Sequence, residues 1–296
     1  MIDLAVIVLN WNKPDLTLNA VKSLQWDSKI IVKVVVADNN SADNSVRVLS
    51  TQQGIDVLPL DRNYGYAQGY NIAVDYVLEK YDPQYLFLLN NDTLSKAYTL
   101  DKLYEKRDEA DILCPKIYAE DGKTIWACGG NVSLWRAFAK NRGQGELDIG
   151  QYQSISDIEF ASGCAIWIKS NVVNEIGLFD PKYQFYYEDA DFCIRAKKKG
   201  FSLKYIPNSE IIHLASKTAG NEYSVSQSYF RWRNRIIFAN KNLAVMPRLI
   251  FIVILLPFII VRDTYRYLKN GLGKELFAAY KGIWSIVNVR SRPNDK

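Results

Sequence analysis

Two short stretches carry side chains able to hold and move charge. In the first, five apolar residues, Tyr85-Leu86-Phe87-Leu88-Leu89, stop abruptly in Asn90-Asn91-Asp92-Thr93. Such a run, bounded upstream by Pro83, reads as a strand buried on both faces. Its end delivers a carboxylate and two amides to the carboxyl rim of a sheet, where open α/β sheets bind ligands. Asp92 is the expected hub of an active site. In the second, Glu188-Asp189-Ala190-Asp191 sets three acids within four residues behind the aromatics Phe185-Tyr186-Tyr187. Acids in a first helical turn complement the helix dipole, and that is the plain structural reading. A solvated first turn has little need of three rings before it, however, and a carboxylate beside aromatic rings suits a general base over which a sugar stacks.

Three further positions have both a structural and a chemical reading. Asp38, ending an apolar run in Ala37-Asp38-Asn39-Asn40-Ser41, is placed to accept from a ribose hydroxyl or a base N–H, or simply to cap the turn that follows. In Asn63-Tyr64-Gly65-Tyr66-Ala67-Gln68-Gly69, small residues at every second position open a helix; they would let a diphosphate approach free backbone N–H groups. Neither the dinucleotide pattern Gly-x-Gly-x-x-Gly nor the phosphate loop ending in Gly-Lys-Ser/Thr is present there, which argues against hydride transfer and ATP hydrolysis. His213, the one histidine, sits in the apolar Glu210–Leu214 run as either a packed ring or a metal ligand.

The elements that must position these residues follow from periodicity. Apolar runs at 4–9, 30–37, 55–60 and 86–89 alternate with helical patterns opening at Pro14, near Ser41 and through 66–78, which predicts βαβ units and a parallel sheet. A helix at 100–110 and a strand at 112–118 follow. Residues 119–157 lose periodicity and hold six glycines, so hairpins and acceptor-facing loops are expected. Strands are predicted again at 160–168, 201–206 and 210–214, and helix from about Val225.

With 296 residues and 48% hydrophobic composition the chain can bury a large core. The first apolar run is broken by Asp3 and Asn10, so no secretory signal is expected. The four cysteines lie far apart, without the close pair of a zinc or redox motif, and read as reduced core residues. The net charge of +5 is unevenly spread: residues 231–296 hold 13 Lys+Arg against 3 Asp+Glu, leaving 24 against 29 in the rest. That basic tail contains the apolar run Leu249–Val261, a better match to an anionic membrane surface than to nucleic acid. At 13 residues, with Pro257 expected to kink it, the run is short for a bilayer span. An interfacial or re-entrant helix is favoured over burial or an oligomer interface, such as that of a homodimer, because Arg262, Arg266, Lys269, Lys274 and Lys281 follow.

Taken in order, Val6–Asn12, Ala37–Ser41, Asn63–Asn71, Leu89–Thr93, Gly177–Asp180, Tyr187–Asp191 and Arg233-Asn234 resemble glycosyltransferase family 2, and within it the bacterial rhamnosyltransferase-like members of cell-surface polysaccharide and cell-wall biosynthesis. The resemblance implies an α/β type A glycosyltransferase fold: a Rossmann-like, mixed, mainly parallel sheet flanked by helices, with a C-terminal helical, basic, membrane-associating extension. A catalytic domain is expected over residues 1–225, with 1–95 binding the nucleotide sugar and 96–225 the acceptor, and a helical membrane-associated region over 226–296. It implies inverting, metal-dependent transfer of a sugar, L-rhamnose from dTDP-rhamnose first among donors, onto a hydroxyl of a lipid-linked glycan. A UDP-hexose or UDP-N-acetylhexosamine donor, or a non-catalytic nucleotide-sugar-binding scaffold, are the alternatives.

Carried onto this chain, Asp38 holds the base or ribose, and Asn10, Asn40, Asn63, Gly65, Gly69, Asn71, Asn91 and Arg233 complete the nucleotide-sugar site. Asp92, with His213, holds Mg²⁺ or Mn²⁺, and Asp189 deprotonates the acceptor beside Glu188 and Asp191. The family's metal motif is Asp-x-Asp, whereas Asn90-Asn91-Asp92 has a single acid. The implied location is cytoplasmic, peripheral to the inner face of the plasma membrane.

Overall fold

The computed structural model describes residues 2–27, 29–214 and 224–289, of which 287–289 by backbone alone; the last part of the expected C-terminal region, 290–296, lies outside them. Four runs of β-branched and aliphatic residues form parallel strands β1 (Leu4–Asn10), β2 (Val32–Asp38), β3 (Ile55–Pro59) and β4 (Tyr85–Asn90), joined through helices α1 (Pro14–Ser23), α2 (Ser45–Ser50) and α3 (Gly65–Tyr81). Every residue of β1 from Leu4 to Val8 is buried, as a central strand covered on both faces requires. Alternation divides them: Leu4, Val6 and Val8 join Phe87 and Leu89 in a core closed by Leu18 of α1 and Leu49 of α2, while α3 covers the opposite face.

After β4 come β5 (Thr93–Ser95), α4 (Thr99–Glu105), β6 (Ile112–Tyr118), β7 (Ile125–Ala127), β8 (Gly130–Ser133), β9 (Phe138–Asn141), β10 (Ser156–Asp157), β11 (Ala165–Lys169), α5 (Ser170–Ile176), α6 (Glu188–Lys198) and β12 (Leu203–His213). The main sheet runs β10-β12-β6-β11-β4-β1-β2-β3; β5 adds to β12 and β7 to β6, and β8 pairs with β9 as a separate hairpin. Because β11 is antiparallel to both β4 and β6, the sheet is mixed.

Three local expectations differ from the outcome. The strands anticipated at 201–206 and 210–214 are one, β12, with a bulge between Ile206 and Glu210 where Pro207 interrupts the ladder. The second helix opens at Ser45 rather than Ser41, because Asp43 accepts from Ser45 N and Oγ and turns the chain first. In the C-terminal part, helix continues unbroken past Pro257: α8 (Val245–Ile250) passes through a π turn at Phe251–Leu255 into α9 (Leu256–Lys269). Proline crowds the carbonyl four residues back, here Val253, and the wider π turn lies where that carbonyl must be accommodated.

The described residues group into two compact units, the first formed from those within 2–131, 140–184 and 188–214, the second from those within 132–139, 185–187 and 224–289. The second contains α7 (Val225–Asn242), opened by a Ser224/Gln227 capping box, then α8, α9 and α10 (Gly273–Val289). Helix α10 lies along α7 at Gly282, where a Cβ would stand 2.4 Å from the Tyr229 carbonyl oxygen, so only glycine permits that approach.

Candidate active site

The carboxyl ends of β1, β2 and β4 lie in register, Asn10 opposite Asp38 and Leu9 opposite Asn90. Asp38, 1% exposed, accepts from Asn10 Nδ2 (2.7 Å), Ser41 N (2.8 Å) and Ser41 Oγ (2.7 Å). Asn10 in turn accepts from Thr17 Oγ1 (2.6 Å), which accepts from Asn91 Nδ2 (3.2 Å). A buried polar chain therefore ties the Asp38 loop to the loop bearing Asp92. The two readings of Asp38 merge: it fixes its own turn and presents that turn at the ligand-binding rim.

The third loop is held differently from expectation. Asn39, 3% exposed and not singled out from the sequence, donates to Asn63 Oδ1 (3.1 Å) and Gly65 O (3.0 Å) and accepts from Tyr64 N (2.9 Å). Its neighbour Asn40 turns outward with φ 58° and is exposed. The backbone N–H groups expected to cradle a diphosphate are already engaged: Gly65 N donates to Asn63 Oδ1, and Tyr66 N and Ala67 N both donate to Gln184 O. Gly69 is small for packing, since a Cβ there would meet both Leu9 methyls at 3.1 Å. Asn71 does not face the rim either; it exchanges both amide bonds with the Phe179 backbone (2.8 and 3.0 Å) and anchors the Gly177–Asp180 segment.

Asp92 and His213 come together from β4 and β12. His213 Nε2 lies 3.3 Å from Asp92 Oδ1, with the edge of Trp126 against the imidazole, 4.7 Å between ring centres. Asp92 Oδ1 and His213 Nδ1 are buried without a hydrogen-bond partner among the described residues. Burial opposes a charge on His213, but the Cys164 sulfur and the Asp92 carboxylate outweigh it and raise the imidazole to about 10. Burial likewise opposes the Asp92 carboxylate, and His213 outweighs it, holding that carboxyl below its usual value.

This pair fits a divalent cation. Two ligands at right angles around one Mg²⁺ or Mn²⁺ ion, each about 2.1 Å away, stand about 3 Å apart, close to the separation seen. Among the described residues no cluster of three or more His, Cys, Asp or Glu is present, so the other positions would fall to ligand oxygens and water, as is usual for Mg²⁺. Without metal, His213 stabilises the fold as a cation. Its raised value means that this contribution is whole below 6.5 and fades as pH rises towards about 10. Thermal melts in chelator should show this decline in the wild type and a flatter profile in His213→Asn; parallel profiles would refute the ion pair.

The acids of α6 separate into three environments. Asp189, partly exposed, is held by backbone N–H groups: Gly163 N donates to Oδ2 (3.1 Å) and Ala190 N to Oδ1 (2.8 Å). Burial raises its carboxyl. Glu188 is 5% exposed, with Oε2 lacking a hydrogen-bond partner among the described residues; burial first, then the charge of Asp189, push it well above the carboxylate range, so it keeps its proton. Asp191, expected beside them as a catalytic acid, is instead fully buried and structural. It accepts from Tyr183 Oη (3.1 Å) and Arg195 Nε (2.9 Å), and Arg195 also donates to the carbonyls of Ile176, Gly177 and Leu178.

Gly163, which the sequence reading passed over, connects these groups. Its N–H holds Asp189, its carbonyl accepts from Tyr66 Oη (2.8 Å), and a Cβ would press on that hydroxyl at 3.0 Å. Tyr66 also donates to Asn90 Oδ1, next to the Asp92 loop, and burial raises its phenol so that it stays a neutral donor. The clue in the sequence was Ser162-Gly163 ahead of an apolar strand, a composition that permits close backbone approach.

In the second unit, Arg233 lies on α7 and donates to Asn234 Oδ1 (2.8 Å). The fully buried Asn234 donates to the carbonyls of Phe185 (2.7 Å) and Tyr186 (2.9 Å). That strap is strained: Gln184, Tyr186 and Tyr187 all adopt positive φ, conformations that non-glycine residues hold only where surrounding structure enforces them.

The mixed sheet thus carries an acid just past the end of its central strand β4, and α6 opens on three acids. The solved structure of GalNAc-T7 with UDP, GalNAc and Mn²⁺ shares the fold at a TM-score of 0.58 and 16% identity, covering 72% of this chain, which spans 44% of that one. The chain therefore has the type A glycosyltransferase fold. The hexosyltransferase Agl10 of low-salt glycan biosynthesis in Haloferax volcanii is 22% identical over 95% of this chain and 91% of its own. Rhamnosyltransferase WbbL of Escherichia coli is 25% identical over 79% and 90%, and dTDP-rhamnosyl transferase RfbF of Shigella flexneri 24% over 86% and 86%. Residues 5–146 match the family model for glycosyl transferase family 2, and with the relatives above this makes the chain a glycosyltransferase.

Proposed function

We propose that this glycosyltransferase moves L-rhamnose from dTDP-rhamnose to a hydroxyl of a lipid-linked glycan, with inversion at the anomeric carbon. The observation that carries the chemistry is Asp189: a carboxylate fixed by two backbone N–H groups, raised by burial, beside a Glu188 that keeps its proton. In this reading Asp189 takes the proton of the acceptor hydroxyl, and attack from the face opposite the leaving diphosphate inverts the centre. Asp92 and His213 are the protein ligands for Mg²⁺ or Mn²⁺, which when bound would neutralise charge on the leaving group. Asn10, Asp38, Ser41 and Asn91 hold the loops that receive the nucleotide. Two relatives named for rhamnosyl transfer support the sugar.

A UDP-hexose donor is the second reading, favoured by the hexosyltransferase relative. Thymine differs from uracil by one methyl, worth about 1–3 kcal/mol, so the two donors are separable by measurement. The enzyme would act in the cytoplasm at the inner face of the plasma membrane, held by the exposed apolar helix Val245–Lys269 and its basic residues.

The test is nucleotide release from a panel of dTDP- and UDP-sugars with Mg²⁺, Mn²⁺ or chelator. Release from dTDP-rhamnose that needs metal, and whose metal dependence vanishes in Asp92→Ala, is expected. Release from a UDP-hexose alone would move the assignment to the second reading, and release undiminished by chelator would remove the metal.

A further inference from the structure

We propose that the tip of the β8–β9 hairpin is a second membrane-inserting element, entering an anionic phospholipid surface beside the helix Val245–Lys269; this rests on the membrane reading above. Three of the five residues at the tip, Leu134, Trp135 and Phe138, are large, apolar and 40–57% exposed. Single exposed apolar residues are ordinary, but these adjoin a larger patch. Within the second unit the tip packs on α8 and the π turn. Arg235 fastens it from below, donating to Arg136 O (2.8 Å) and lying over the rings of Phe138 and Phe251 at 5.5 and 5.7 Å. Tyr187 Oη donates to Ala137 O (3.2 Å). The tip is thus a braced turn that holds an indole outward, the residue type favoured at bilayer interfaces.

The π turn makes the helix a matching partner. Val245, Leu249 and Ile252 are exposed along one stripe, and Phe258, Val261 and Tyr265 along another. At about 100° per residue these stripes would point to different sides of the helix. Each π residue turns through less, and five in succession swing the second stripe back towards the first. Val253 and Ile254, also exposed, lie between the two stripes in sequence and extend the apolar surface.

Charge selects the occupant. Arg136, Lys140, Arg262, Arg266 and Lys269 are exposed around these elements, and residues 231–296 carry 13 basic against 3 acidic residues. A second copy would bring like charge to like charge, whereas anionic headgroups complement it.

The full chain would be sedimented with vesicles of phosphatidylcholine alone and of equimolar phosphatidylcholine and phosphatidylglycerol. Wild type is expected on the anionic vesicles. Leu134→Ser/Trp135→Ser should bind them about tenfold or more weakly, with nucleotide release in solution unchanged. Brominated lipid should quench wild-type fluorescence more than that of Trp135→Phe, a variant conservative enough to fold. Equal binding by the double variant, or equal quenching of Trp135→Phe, overturns the proposal; a binding loss in Phe258→Glu would then show that the membrane reading survives. Failure of wild type to bind anionic vesicles overturns both. A dimer by light scattering that dissociates in the double variant assigns the surface to a second copy and also overturns it.

Discussion

Replacing Asp189 by asparagine is expected to lower kcat by about 10²–10⁴-fold, the usual share of a positioned general base. Asparagine preserves shape, but its single carbonyl oxygen can accept from Gly163 N or Ala190 N and not from both, so the fold should survive at a modest cost in stability with donor binding little changed. Glu188→Gln is the matching control. Glu188 sits buried and protonated beside Asp189, and an amide replaces a neutral acid with a neutral group, so most turnover should remain. The pH profile carries a further check. A base must be ionised to act, and burial raises Asp189, so kcat/KM should climb with pH through a value above that of an ordinary carboxyl. Asp189→Asn should lack that limb. Equal losses in both variants, or a larger one in Glu188→Gln, would move the base to Glu188.

How far the sequence discloses this site can be judged residue by residue. Apolar runs that stop in polar clusters marked β1, β2 and β4 and put Asp38 and Asp92 at one rim, because strand burial and strand ends leave compositional traces. The pairing of Asp92 with His213 was beyond periodicity; the short strand β5 sets that meeting, its Thr93 standing opposite His213 of β12 while Leu214 N donates to Asp92 O. Side-chain direction was equally hidden. Asn39 and Asn40 are adjacent amides, yet a positive φ at Asn40 sends one inward and the other to solvent. Gly69 and Asn71 looked like ligand-facing residues because tight helix–sheet packing and ligand approach both call for small or amide side chains.

The three acids of α6 show where a readable cue was available. Asp191 and Arg195 are four apart on one helix, the spacing of an intrahelical ion pair, and they flank the apolar Phe192 that must face the core. Asp189 has no such partner at that spacing. The cue separates a structural acid from a chemical one before any coordinates.

That separation predicts opposite phenotypes. Arg195→Met should destabilise the protein by about 3–5 kcal/mol, because breaking a buried ion pair leaves an uncompensated charge. Asp191 is fully buried and would lose its cation, and the carbonyls of Ile176, Gly177 and Leu178 would lose their guanidinium donor together. The reverse truncation, Asp191→Ala, should cost less, since Arg195 is 22% exposed and keeps those three carbonyl acceptors. Denaturant titration gives the stabilities, and turnover measured well below the melting temperature should stay mostly intact in Arg195→Met. The carbonyls it releases lie just before Phe179, which Asn71 clamps independently through both its amide groups, so the segment should loosen on one side without detaching. If Asp191→Ala instead lost turnover as Asp189→Asn does while keeping full stability, Asp191 would have to be returned to the reacting groups and the division of labour within this helix abandoned.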